Sequence, residues 1–255
     1  MKQMKFFLVA LMAVVMGMSV TSCMNGDDNT QVNDLPVLGK VKDSFLGLTF
    51  TSLDGFTFKS KNTVEGTTNF MTGDFIVATC SYDTEVDIDY TTNTINATIG
   101  STEKISGNAV YSTTKAEDEG EHPSYVSDRG VISITDLTPA MIDNYNLLVP
   151  IQYLAFEKIA SHTFFMVYYS DENELKGKTD LKLFLRHTST EEKAKETYRA
   201  FSYRVFDIRS AIEAYKNANE GRYPSNITIV SEANSSNNDV PKTTTTTPVT
   251  YTFRE

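Results

Sequence analysis

Cysteine and histidine are scarce in this sequence, with two of the first and three of the second in 255 residues. A disulfide framework is therefore excluded, and the folded part must draw its stability from apolar burial. The histidines, His122, His162 and His187, lie far apart in different segments, so no pair has the short spacing of a zinc motif. Basic residues are outnumbered, 23 against 33 acidic ones, for a net charge of −10. Such a chain repels phosphate backbones, and no cluster of Lys and Arg interleaved with aromatics offsets the repulsion, so nucleic acid is not an expected partner. The long apolar run, Phe6–Met18, has 13 residues, short of the roughly 20 that a bilayer-crossing helix needs. A Gly-x-Ser-x-Gly elbow, a phosphate-cradling glycine loop, a supported Ser/His/Asp order and the central glycine of an EF-hand are all missing.

The N-terminus is the most informative stretch. Lys2 and Lys5 precede the apolar run, and small and polar residues then lead to Ser22-Cys23, the layout of a secretory signal peptide. Val20-Thr21-Ser22-Cys23 resembles the bacterial lipobox, which implies cleavage after Ser22 and acylation of Cys23. Several acyl chains, each methylene contributing about 0.8 kcal/mol, make such an anchor effectively permanent. Residues 1–22 are thus read as a signal peptide, and the mature chain as a lipoprotein of the cell envelope, at the outer membrane and in one reading exposed at the cell surface. Its 255 − 22 = 233 residues carry (23 − 2) − 33 = −12 charges. With Cys23 lipidated only Cys80 remains, so no intramolecular disulfide can form. Residues 23–35 read as a flexible acidic tether. Within it Asp27 and Asp28 resemble surface-export signals of some anaerobes, and a plain solvated spacer is the other reading.

Downstream, 40% hydrophobic residues with 15 Phe and 13 Tyr suffice for a core. The pattern is mostly strand. Asp54-Gly55 between alternating apolar residues predicts a hairpin with a type I′ turn. Phe75–Tyr82 and Thr94–Ile99 predict further strands, and so do Val131–Thr135, Leu147–Phe156, Thr163–Tyr169, Leu181–His187, Phe201–Phe206, Ile227–Ser231 and Val249–Phe253. One short helix is predicted near 210–219, from the capping-box spacing of Ser210 and Glu213, the shared face of Ile212 and Tyr215, and Gly221 beyond its end. Thr190–Thr197 is charged without an apolar stripe and reads as exposed loop or frayed turn. The acidic stretch 113–124 is the expected linker, and Asn234–Pro248 reads as a long hairpin loop.

SCMNGDDN, TSLDGFTF, TGDFIVATCSYD, LKLFLRHTS and YRVFDI together resemble the NigD-like lipoproteins. The resemblance implies an OB-like β-barrel over residues 36–112 and a β-sandwich over 125–255, in a mainly β chain. Bacteriocin-associated immunity is the function it suggests, through operon linkage alone.

Candidate chemistry is sparse. His187 continues the face of Leu181, Leu183 and Leu185 and reads as a core or strand-end histidine. Cys80, with no basic neighbour in sequence, reads as a small buried hydrophobe rather than a nucleophile. Asp83, Glu85, Asp87 and Asp89 alternate with apolar residues, which in one extended strand places four carboxylates on one face. That is a solvated edge or, less simply, a calcium site. Phe56, Phe70, Tyr82 and Tyr90 serve equally as core residues or as a surface for a sugar or protein partner. The expectation is a non-enzymatic binding or interaction module, without a cofactor, held to a membrane by its lipid and facing a saccharide or envelope protein. An immunity lipoprotein and an unrecognised hydrolase are the other classes.

Overall fold

The computed structural model describes residues 30–253 except 46, 65–69, 119–124, 135–137 and 157–160, and omits the side chains of 106–109, 172 and 173. Two compact units divide between Ser106 and Gly107.

The first unit is a closed five-stranded barrel. Strand β1 (Gln31–Asp43) is long because it serves two neighbours: its first part pairs antiparallel with β4 (Phe75–Asp83) and its last part with β2 (Thr49–Ser52). From β2 the order runs to β3 (Thr57–Ser60), then to β6 (Thr94–Lys104), and β6 returns to β4. Closure comes from the parallel pair of β3 and β6, with Phe58 opposite Ile95. Strand β5 (Ile88–Asp89) is a two-residue annex on β6. Barrels must bend their strands, and register shifts at Val32/Leu35 and Ala78/Cys80 supply bends here.

The barrel interior follows from period-2 alternation. Ile95, Ala97 and Ile99 of β6 and Ile76, Ala78 and Cys80 of β4 are buried, and Phe50 and Phe58 stack at 5.2 Å. Gly39 is required by that stack, since a Cβ there would lie 2.4 Å from Phe50 Cδ2 and 2.7 Å from the Thr51 carbonyl. Gly39→Ala is therefore expected to cost about 1–3 kcal/mol through overpacking, read as a lowered urea midpoint. An unchanged midpoint would mean that the Phe50 ring can move aside freely.

The second unit is a β-sandwich built from one bent strand order: β14 (Thr245–Thr250), β13 (Asn226–Ser231), β11 (Asp180–Ser189), β10 (His162–Tyr169), β7 (Ser106–Thr113), β12 (Tyr198–Asp207), β9 (Asn146–Ala155) and β8 (Ala140–Met141). The β9–β12 pair packs face to face on β10 and β11, and Tyr153 of β9 meets Phe164 of β10 edge-on at 4.9 Å. The pairings β7–β10 and β11–β13 are parallel. A parallel pair needs a crossover, and between β11 and β13 it consists of β12 and a helix. Short helices α1 (Lys115–Asp118) and α2 (Glu172–Leu175) precede that helix, α3 (Arg209–Ala218). Helix α3 buries Ala211, Ile212 and Tyr215 in the sandwich core.

Several expectations need correction. The 53–55 hairpin loop is not type I′, because only Gly55 has positive φ. It is a three-residue loop in which Gly55 N–H donates to the Ser52 carbonyl and Ser52 N–H to that of Phe56, the bulged alternative that a single left-handed glycine permits. Residues 31–35 of the expected tether belong to β1. Residues 106–113 form a strand of the second unit, so the division precedes the 113–124 segment, and 115–118 of that segment is helical. The threonine-rich stretch is half strand: β14 begins at Thr245, and Pro248 is tolerated because β14 is an edge. Helix α3 has no capping box, since Ile208 is its N-cap and Asp207 Oδ1 accepts from Arg209 N–H at 2.9 Å.

Candidate functional site

The fold joins two histidines that lie 25 residues apart in sequence. His162 opens β10 and His187 sits near the end of β11, on adjacent antiparallel strands whose inward parity they share with Phe164 and Leu185. His162 Nδ1 and His187 Nε2 are 3.0 Å apart, and His187 Nδ1 lies 3.1 Å from the Gly130 carbonyl. Gly130 itself is crowded from another side, since a Cβ there would stand 2.7 Å from the Asp239 carbonyl. The proton positions follow from chemistry. A carbonyl only accepts, so His187 Nδ1 carries hydrogen; burial, above all, pushes the His187 pKa down to about 3, so the ring is neutral and its Nε2 accepts from His162 Nδ1–H. His162 Nε2 then faces Glu191 Oε2 at 3.0 Å, with one proton between them, while Glu191 Oε2 also accepts from Phe156 N–H at 2.8 Å. Tyr153 and Phe164 close around the rings, at 4.8 Å from His162 and 4.4 Å from His187 respectively.

Beside this line lies a buried ion pair. Arg129 Nε donates to both Glu196 oxygens at 2.9 Å, Nη2 donates to the Glu191 carbonyl at 2.8 Å, and Asn238 Nδ2 donates to Glu196 Oε2 at 2.5 Å. The Glu196 side chain is 0% exposed and that of Arg129 8%. Thr190–Thr197 is therefore not simply an exposed loop. One 3-10 turn at Lys193–Lys195 folds it so that Glu191 and Glu196 point inward and the lysines outward.

Ligand atoms of His162, Glu191 and Glu196 all lie within 4.8 Å of one another, close enough to suggest a metal site. The electrostatics argue otherwise. Arg129 already balances Glu196, a proton already joins His162 to Glu191, and a divalent ion would sit against a guanidinium in a low-dielectric interior. The cluster is best described as a closed, internally paired plug in the sandwich.

The barrel's acidic stripe dissolves on folding. Strand β4 ends at Asp83 and a turn follows, so the four carboxylates do not share a face. Asp83 accepts from Thr30 Oγ1, Gln31 Nε2 and Glu85 N–H; Asp87 is buried, accepts from Asp83 N–H at 2.8 Å and pairs with Lys61 at 2.5 Å; Asp89 accepts from Thr91 and Thr92. These hydrogen bonds hold all three carboxyls below the usual range, chiefly through Glu85 N–H, Asp83 N–H and the Thr92 hydroxyl respectively. Asp83, Asp87 and Asp89 are thus each engaged by their own turns, with Thr30, Gln31 and Lys61 adding contacts to the first two. Phe56, Phe70 and Tyr82 pack against the barrel core and Tyr90 alone is well exposed, so the four aromatics form no common platform. Cys80 is fully buried, and burial pushes its thiol up to about 12, which makes it inert. Cys23, Asp27 and Asp28 lie outside the described residues.

An unanticipated surface lies on the outer face of the sandwich sheet. Phe165 of β10 stands directly opposite Arg186 of β11, and Val167 opposite both Phe184 and, across the parallel pair, Tyr111 of β7. Directly opposed residues share a face. Tyr111, Tyr125 and Phe165 form a ring cluster with centroids 5.0, 5.8 and 6.3 Å apart, and Tyr111 is 44% exposed. Arg186 reaches Asp118 of α1 at 3.4 Å and Glu232 at 3.2 Å and lies over the Phe184 ring. Tyr169 also donates to Asp118, at 2.5 Å. Arg186 Nε, Asp118 Oδ1 and Glu232 Oε2 are buried with no hydrogen-bond partner from the protein. Leaving such groups unsatisfied costs about 1–3 kcal/mol each, and Ser231 Oγ and Thr247 Oγ1 are further buried atoms of the sandwich in the same state.

No family model and no curated protein matches the chain. Among solved structures, a candidate lipoprotein of Bacteroides fragilis is 22% identical over 88% of this chain and 100% of its own, with a TM-score of 0.68. A protein of unknown function from Bacteroides vulgatus is 10% identical over 86% and 90%, with a TM-score of 0.55. A looser likeness, at 13% identity over 84% and 92% and a TM-score of 0.47, is to a NigD-like immunity protein of Bacteroides caccae. The likeness to the Bacteroides fragilis and Bacteroides vulgatus structures is one of fold.

Proposed function

We propose that this chain is a non-enzymatic binding module of the bacterial cell envelope, anchored at the outer membrane through lipid on Cys23, with the outer face of the sandwich as its binding surface. The observation that carries the binding role is the ring cluster of Tyr111, Tyr125 and Phe165 on that face, with Tyr111 exposed and the other two half-buried. The core's imidazoles and carboxylates, by contrast, are committed to one another, which speaks against a hydrolytic role for them. Support for the anchor comes from Val20–Cys23 after a 13-residue apolar run and from the Bacteroides fragilis neighbour, itself a candidate lipoprotein.

Expression of the full chain in a bacterium that processes lipoproteins tests the anchor. The wild type should partition into detergent with the membrane fraction, with an intact mass showing acylation and loss of residues 1–22. Cys23→Ser should move the protein to the aqueous phase. A wild-type chain cut elsewhere, or carrying an unmodified Cys23, would overturn the lipoprotein reading.

A further inference from the structure

We infer that the end of the sandwich where segments 127–133, 190–197 and 233–239 converge is an acid-released latch, which opens with the uptake of a proton by the hydrogen-bonded line from Gly130 to Glu191. The inference goes beyond binding and gives that line a conformational role. The three segments have no ladders of their own. They meet the strands and one another through two single bridges, Val131 with Ala233 and Ser133 with Gln152, and through isolated backbone bonds such as Arg129 N–H to the His187 carbonyl, Gly130 N–H to that of Asn238 and Asn234 N–H to that of Val131. Side chains supply the rest of the closure. Arg129, Glu196 and Asn238 join one segment to the next, while His187 and His162 fasten Gly130 and Glu191 to β11 and β10.

The closed line is full. Its gaps, of 3.1, 3.0 and 3.0 Å, hold one hydrogen each, so a further proton on either ring sets two hydrogens against each other. Burial also holds the His187 pKa down, to about 3. Among the described residues no spare anion offsets the added charge. His187 faces His162 of β10, Arg129 and the Tyr153 ring of β9; Glu191 and Glu196 are engaged by His162 and Arg129, Asp128 lies against Arg129 and accepts from Ser189 N–H, Arg204 of β12 lies over the Phe164 ring, and Glu232 pairs with Arg186. Water relieves the crowding. Lifting 127–133 takes Gly130 and Arg129 from His187, and lifting 190–197 takes Glu191 from His162, while the β10–β11 and β9–β12 ladders stay paired. In water an imidazole is charged below about pH 6.5 and a glutamate stays ionised down to about 4.3. The two rings and the carboxylate then hold four hydrogens, against the three of the closed gaps. The open end binds one proton more, so its population rises about tenfold for each pH unit as the pH falls from 6.5.

Hydrogen exchange of the full chain in detergent tests the latch, read by mass spectrometry at about pH 7 and pH 4.5 and divided by the intrinsic exchange rate at each pH. Peptides covering 127–133, 190–197 and 233–239 should open about a hundredfold more at the lower pH. Low urea should leave their exchange unchanged, because a local opening exposes little surface, whereas peptides of β9 and β12 should stay better protected and respond to urea. His187→Gln should remove the rise with acid. If that variant fails to fold, nitrogen NMR of the wild-type imidazoles decides, and His187 should keep a neutral ring with hydrogen on Nδ1 in the closed protein at pH 4.5. Latch and strand peptides exchanging together with one urea response would make the opening global and overturn the inference. The absence of a rise, a rise retained in His187→Gln, or a His187 ring that charges near pH 6.5 without opening would overturn it equally.

Discussion

Replacing Glu196 with alanine is expected to destabilise the sandwich by about 3–5 kcal/mol, the range for breaking a buried ion pair by removing one partner. The reason is what remains rather than what is lost. Arg129 would keep its bonds to the Asp128 and Glu191 carbonyls, but its charge, only 8% exposed at the side chain, would lose the carboxylate that both Nε contacts address. Asn238 Nδ2 would lose one of its two acceptors, keeping only the Lys193 carbonyl, and with it part of the tie between the 234–239 loop and the 3-10 turn. Urea denaturation of the wild type and of Glu196→Ala measures the difference. The double variant R129M/E196L removes both charges and should recover most of the loss, because a buried pair gains little over apolar residues of like volume. A single variant within about 1 kcal/mol of wild type, or a double variant as unstable as the single, would show that the pair is solvated and not the plug described above.

How much of this was legible in the sequence depends on whether the controlling pattern was local. Strands β4 and β6 and helix α3 were readable because alternation in FIVATCSYD and TINATI, and the Ile212–Tyr215 spacing, lie within one element. Strand β1 was not, because Asn33, Asp34, Pro36 and Gly39 are turn formers in local chemistry. They are tolerated since the strand is bulged at Val32/Leu35, with Asp34 at a φ of 51°, and crosses Phe50 where a side chain does not fit. Strand β7 hid for the same reason behind Ser106, Gly107 and Asn108. The acidic stripe failed in the opposite direction: parity was correct only while the chain stayed extended, and the turn after Asp83 cancels it. The histidine line illustrates the limit best. Parity alone places His162 and His187 inward, but their meeting depends on the register of β10 against β11, and Glu191, Glu196 and Arg129 arrive from segments with no periodicity at all. The juxtaposition of Phe165 and Arg186 on the outer sheet face has the same origin, since they become neighbours only through strand pairing.

The second large effect is a loss of stability on acidification that can be assigned to His187. In the unfolded chain its imidazole takes a proton near 6.5, while in the fold burial holds it neutral down to about 3, against a smaller opposing contribution from the Gly130 carbonyl. His162 and Arg129 add to the depression, and the carboxylates of Glu191 and Glu196 are already engaged by His162 and Arg129 respectively. The unfolded state therefore binds more protons between pH 6.5 and pH 3. Stability is fully present above 6.5 and declines as the pH falls through that window. At about pH 4.5 the difference is roughly two pH units, or about 2.7 kcal/mol. His187→Gln keeps a donor for Gly130 and an acceptor for His162 yet has no proton to take up. Its stability at neutral pH should be lower through imperfect packing, but its decline between pH 7 and 4.5 should be shallower than that of the wild type by about the same 2.7 kcal/mol. Denaturation curves for both proteins at the two pH values isolate the effect, because other titrating groups are common to both. Equal declines would mean that His187 is protonated within the fold, and the line from Gly130 to Glu191 would then need a different arrangement of protons.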